Sequence, residues 1–169
     1  MIDASYVQLM SRFNMWQNNQ LAESIDAMDD VSLRQDRGAF FGSILATLNH
    51  ILLADILWLE RLGNHADELL QRIRKIENAT ATGAQWRALR KDVDALILVW
   101  AESVDDNVLA SEVDWSSRVL AQSFCHPYDI CVMHFFNHQT HHRGQVHAML
   151  TASGHAAPTT DIVFMPEIA

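Results

Sequence analysis

Five of the chain's nine histidines fall within one stretch of fourteen residues, "HFFNHQTHHRGQVH", from His134 to His147. On an α-helix, residues four apart lie on one face, so His134, His138 and His142 form a row with Gln145 near its continuation. A His-x-x-x-His pair is the spacing that lets two imidazoles reach one metal ion, as in the zinc-binding H-E-x-x-H motif. Here the motif reads "HQTHH". No glutamate follows His138, so the metalloprotease arrangement with its general base is not present. Two histidines do not complete a site; an open metal site usually takes three protein ligands plus water. The third should come from another helix, and His50, in the mostly apolar context "TLNHILLAD", is the natural candidate. A neutral imidazole buried there without a partner would be costly. His141 lies three residues after His138, so spacing alone leaves open whether His141 or His142 coordinates. The ordinary alternative is that His50 is a satisfied core histidine and the others coat a wet surface. His65, His126 and His155 fall in expected loops or ends and need no special role, and His147 lies outside the row, facing solvent.

Elements long enough to position such a row are readable along the chain. A first helix is expected over Ala4–Asp26, with Tyr6, Leu9, Met10, Phe13 and Trp16 as its apolar stripe. "DAMDDVSLRQDRG" reads as a loop. Ser43 is a plausible N-cap for a second helix to about Arg61, with Gly63 just past its end. Ile44, Leu48, Ile51, Leu52, Asp55 and Leu59 share its face, extended by Trp58. "HADELLQRIRKIENATATGA" reads as a short helical turn and then a loop. A third helix is expected from near Gln85 to about Val104, patterned by Trp86, Leu89, Val93, Leu96, Ile97 and Trp100. The segment 105–124 carries two brief runs around Ser116–Ser117 that fit a short hairpin. A fourth helix should start at Pro127 and end near Ser153, before Gly154. The last fifteen residues read as an extended tail. Four amphipathic helices with a small excursion between the third and fourth imply an all-α helix bundle.

Composition bounds the rest. A chain of 169 residues, 49% hydrophobic and 20% charged, fits one globular domain over 1–169. The net charge of −9 opposes nucleic-acid binding, which needs clustered Lys and Arg, and docking on an anionic membrane. Two cysteines, Cys125 and Cys131, are too few and too far apart for a disulfide scaffold or a thiolate site and read as buried thiols. The N-terminus lacks a signal-peptide layout and no apolar run is long enough to span a membrane, so a soluble cytoplasmic protein is expected.

Four segments carry a family resemblance. "NHQTHHRGQVHAML", "MSRFNMWQNNQLAESI", "RGAFFGSILATLNHILLADILWLERL" and "GHAAPTTD" resemble, together over nearly the whole chain, the DinB family of DinB/YfiT-like metalloenzymes. The resemblance implies a four-helix bundle of up-down-down-up connectivity. It also implies a divalent metal, zinc or nickel in different members, held by one histidine of the second helix and an H-x-x-x-H pair of the last. Carried onto this chain, these are His50, His138 and His142; the family pattern favours His142 over His141 because its ligand directly precedes Arg-Gly. Many members are homodimers. Some relatives are transferases or isomerases that use low-molecular-weight thiols such as bacillithiol or mycothiol.

The expectation is therefore a metal-dependent enzyme that activates a thiol or water, with a non-catalytic metal-binding dimer or sensor as the alternative. His134 would support the ligands or touch substrate. Asn49 and Gln145 would orient ligands or substrate by hydrogen bonds, or simply be polar helix residues. Arg143 would attract an anionic substrate, against the simpler role of a salt bridge or dimer contact. Asp55 is expected to be structural.

Overall fold

The structure is a computed structural model that describes residues 1–63, 80–117 and 120–166. The expected turn and loop over 64–79, and His65 with it, lie outside the described residues. The described residues are mostly helical, with one small sheet. Its elements are α1 (Ala4–Asp26), α2 (Asp30–Arg34), α3 (Ile44–Arg61), α4 (Gly83–Ser103), α5 (Asp106–Leu109), β1 (Glu112–Ser117), β2 (Gln122–Pro127) and α6 (Tyr128–Ala152), followed by a 3₁₀ turn at Ile162–Phe164. Among the described residues, no helix is long and apolar enough to cross a membrane.

Caps set the helix starts. Asp3, Ser43 and Thr82 each accept a backbone N–H three residues on, opening α1, α3 and α4. Helix α4 starts two residues before the expected Gln85. Gly83 stands there because a Cβ would come within 2.9 Å of the Leu33 side chain. The stretch expected as a loop contains α2, capped by Asp29 and pinned by buried Leu33. The hairpin is present, but Ser116 and Ser117 end β1 rather than turning, and β2 runs on to Pro127, which directly precedes α6. Helix α6 closes at Gly154 in the left-handed conformation, with His155 N–H donating to Leu150 O (3.0 Å). Cys131 is buried, but Cys125 is exposed on β2, so the two cysteines are not alike.

Contacts fix the relative sense of the long helices. Asn14 meets Asp94 while Asp26 meets Arg87, so α1 and α4 run oppositely. Leu48 O accepts from Trp86 Nε1 (3.2 Å) while Asp55 meets Arg90, so α3 and α4 run together. His50 meets His138 while Leu62 O accepts from the Tyr128 hydroxyl, so α3 and α6 run oppositely. Tyr6 meets Phe136 and Asn14 meets Arg143, so α1 and α6 run together. The core between them takes Leu48, Leu52, Ile56 and Leu59 of α3, Trp86, Val93, Ile97 and Trp100 of α4, and Val132, Phe135, Phe136 and Val146 of α6. Each fully buried aliphatic side chain contributes about 1.5–3 kcal/mol relative to exposure.

Helix α1 departs from its apolar stripe. Leu9 is exposed, and the buried face holds Val7, Ser11, Asn14, Gln17, Asn18, Leu21 and Ile25. Polar residues are buried here because each finds a hydrogen-bond partner, charged for Asn14 and Asn18 and a backbone carbonyl for Ser11 and Gln17. Asn14 and Asn18 donate to Asp94 Oδ1 (3.2 and 2.9 Å), and Gln17 donates to Thr159 O of the tail (2.7 Å). Arg90 bridges Asp94 and Asp55 (3.0 and 2.5 Å), and all three are buried. Burial pushes the Asp94 carboxyl up to about 6 against the opposing pull of Arg90.

Candidate metal site

His50 stands midway along α3, whose register is set by the Ser43 cap, and His138 and His142 lie one turn apart on α6. The antiparallel contact of α3 and α6 brings the three together. Their nearest ligand-capable atoms all lie within 4.8 Å of one another, and among the described residues the group comprises these three. His50 Nε2 and His138 Nε2 are 3.0 Å apart, and the ring centroids of the three pairs are separated by 4.5–4.9 Å. Two imidazole nitrogens bound tetrahedrally to one zinc ion would stand about 3.3 Å apart, from Zn–N bonds of about 2.0–2.1 Å. The donor set therefore fits a divalent ion that favours nitrogen ligands.

The protonation states also fit. Burial, and then neighbouring His142, hold His50 below the usual imidazole range. Burial, followed by His142 and His50, pushes His138 down to about 4. Both imidazoles are thus neutral near pH 7, the form in which they ligate. Gln145 Oε1 lies 2.8 Å from His142 Nδ1, while Gln145 Nε2 lies 3.3 Å from His141 Nε2. One amide orientation serves both: the amide donates to His141, and Nδ1–H of His142 donates to the amide oxygen. That places the free lone pair of His142 on Nε2.

The remaining expected residues divide clearly. His141 is exposed and touches His142 and Gln145. His134 is exposed, with its ring 5.8 Å from His138 and 4.9 Å from Trp58. Asn49 turns to Thr80, donating to its carbonyl (2.9 Å) and accepting from its hydroxyl (2.6 Å), so it ties α3 to the approach to α4 rather than to the three histidines. Arg143 is not placed to meet a substrate: it is buried and donates to Asn14 Oδ1. Burial pushes it down to about 10, against the nearby Asp55 and Asp94. His147 is half-buried rather than fully facing solvent, and His126 accepts from Trp115 Nε1 (3.1 Å) across the hairpin.

Three features of the site escaped sequence reasoning. Phe41, in the loop before α3, stacks on His50 with centroids 4.0 Å apart and meets His142 edge-on at 5.4 Å. A Phe-Phe pair in an otherwise polar loop was the available signal. Arg61 lies over Trp58 and Trp115 (4.7 and 4.2 Å), fastening the hairpin beside His134. Gln139, where the protease motif carries glutamate, is fully buried and donates to Asp55 Oδ1 (2.9 Å).

Known proteins share this fold. The family model described as "DinB family" matches residues 1–169. Protein DinB of Bacillus subtilis (strain 168) is 24% identical over 153 residues, covering 88% of this chain and 87% of that protein. The crystal structure of a DinB-like protein from Bacillus cereus superposes with a TM-score of 0.62 at 21% identity, covering 85% of this chain and 90% of the other. That of a DinB-like protein from Bacillus subtilis does so at 0.62 and 19%, covering 91% and 98%. The chain belongs to the DinB family.

Proposed function

We propose that this protein is a metal-dependent enzyme in which His50, His138 and His142 hold one divalent ion, zinc or nickel, and which activates a thiol or a water for transfer or hydrolysis. The observation that carries the reading is the convergence of three imidazoles, from two helices, within 4.8 Å. Three protein ligands are the number found in catalytic sites; structural sites take four. Bound there, such an ion supplies Lewis acidity, making a thiol or water far more acidic than in bulk solvent. The chain's own residues do the rest. Gln145 holds the His142 tautomer, and Phe41 covers the His50 ring. His134, exposed between Trp58 and His138, is the group best placed to meet a substrate.

The same reading takes the molecule as a single domain, a four-helix bundle of up-down-down-up connectivity, which the helix senses support. A low-molecular-weight thiol and a second copy of the chain are its proposed partners, in the cytoplasm. A non-catalytic metal-binding dimer would instead need a fourth protein ligand to close the site.

The test begins with elemental analysis of the purified protein and of His50→Ala, His138→Ala and His142→Ala. About one ion per chain is expected in the parent and a small fraction in each variant; unchanged content in all three variants would refute the site. The metal-loaded protein is then incubated with bacillithiol, mycothiol or glutathione and an electrophile. Absence of metal-dependent turnover would favour the non-catalytic reading.

A further inference from the structure

Each α6 histidine of the site is followed by a buried polar residue: Gln139 after His138, and Arg143 after His142. These two are also four apart, so α6 carries a second polar row, turned about 100° from the histidine row and facing the core. Gln139 Nε2 donates to Asp55 Oδ1 at 2.9 Å. Asp55 is on α3, five residues after His50, and its other oxygen is held by Arg90 of α4 at 2.5 Å. The helices that bring His50 and His138 together are thus joined, one residue beyond His138, by a bond between two buried side chains.

Stability accounts for only one end of the Gln139 amide. Its Oε1 is buried with no hydrogen-bond partner among the described residues, and an unpaired buried acceptor is unfavourable. A leucine there would avoid that cost but would leave Asp55 Oδ1 without its donor. Registration does account for it. A slip of one residue moves a helix by about 1.5 Å along its axis, whereas metal–ligand distances hold to within about 0.2 Å. Apolar packing between α3 and α6 is less exacting than a hydrogen bond between two particular atoms.

We propose that Gln139 and Asp55 are positioning residues, setting the register of α3 against α6 so that His50 meets His138 and His142 at one point. The inference rests on the metal reading above but concerns residues that touch no ion. Its test is Gln139→Met, similar in volume and unable to donate. Zinc affinity, measured by chelator competition, should fall about 10- to 100-fold, and the visible bands of the cobalt-loaded protein should change in position and intensity. Leu21→Ala, which opens the α1 core, is the control. It should lower Tm at least as far as Gln139→Met while leaving zinc affinity within about twofold and the cobalt spectrum unmoved. If Gln139→Met keeps parental affinity and spectrum, or Leu21→Ala weakens zinc equally, the positioning role is wrong. Should Gln139→Met not fold, Gln139→Asn, which keeps the amide but shortens its reach, carries the same expectation and the same refutation. If the parent protein binds neither zinc nor cobalt, the metal reading itself fails, and this inference with it.

Discussion

Replacing Arg90 with methionine should be among the most damaging changes in this protein, and the damage should ease in acid. Arg90 lies between Asp55 and Asp94, at 2.5 and 3.0 Å, and all three side chains are under 5% exposed. Methionine fills similar volume but leaves two buried carboxylates without their shared cation. Removing one partner of a buried ion pair costs about 3–5 kcal/mol, a large part of the total stability of about 5–15 kcal/mol expected for a domain. For a chain of this length, about 2–4 °C of Tm per kcal/mol gives a fall of about 6–20 °C. The pH sign follows from the carboxyls. Burial raises Asp55 and Asp94 even in the parent, Asp94 to about 6, and loss of Arg90 raises both further. A carboxyl whose folded pKa is raised contributes stability that is fully present below the unfolded value near 4 and is lost as pH rises through the folded value. One carboxyl that stays protonated in the folded variant would therefore gain up to about 2.7 kcal/mol between pH 7.5 and pH 5.5, at 1.36 kcal/mol per unit. The deficit shrinks by that gain less what the parent's Asp94, raised to about 6, gains over the same range. Urea melts of metal-stripped parent and variant at both pH values measure this. Taking the difference between the two proteins cancels the titration of the histidines they share. A deficit below about 1 kcal/mol at pH 7.5, or an equal deficit at pH 5.5, would refute the reasoning.

Two further outcomes test the surroundings of the site. Phe41→Ala removes the ring stacked 4.0 Å from His50 and should let a chelator strip bound zinc several-fold faster, read by stopped flow; an unchanged rate would mean that Phe41 does not limit access. Gly83→Ala sets a Cβ about 2.9 Å from Leu33 and should destabilise by about 1–3 kcal/mol, although alanine is the better helix former; thermal melts giving an equal or higher Tm would show that α2 yields without strain.

How much could be read beforehand follows from what each element buries. Helix α3 was legible because its face is almost wholly apolar, and Ser43 and Gly63 marked its two ends. Helix α1 was half legible. Its length was apparent, but its inward face includes Asn14 and Asn18, whose burial makes sense only once Asp94 and Arg90 are known to lie opposite. Sequence periodicity counts such residues as solvent-facing, which is why Leu9 falls on the inward stripe of the sequence reading. The short helix α2 was missed because five residues between aspartates carry too little pattern to outweigh a loop. At the site, spacing paired His138 with His142, but the choice over His141 rested on family resemblance. The structure gives a physical correlate: His142 is buried beside His50, while His141 is exposed and bonded to Gln145.

Charge gives the proposed chemistry its direction. The protein is acidic, with a net charge of −9, yet the groups nearest the three histidines carry almost none of it. Asp55 and Asp94 are offset by Arg90 and Arg143, so the buried network is close to neutral when all four are ionised. Among the described residues no carboxylate or thiolate joins the three imidazoles. On the proposed reading, a divalent ion held there keeps its full double charge, which no protein anion offsets. The group that most favourably completes such a site is an anion, and a soft thiolate suits zinc better than a neutral oxygen donor. Carboxylate ligands would lower that preference by supplying the negative charge themselves. On the proposed reading, the ligand set therefore suits an anion, thiolate or hydroxide, as the activated species.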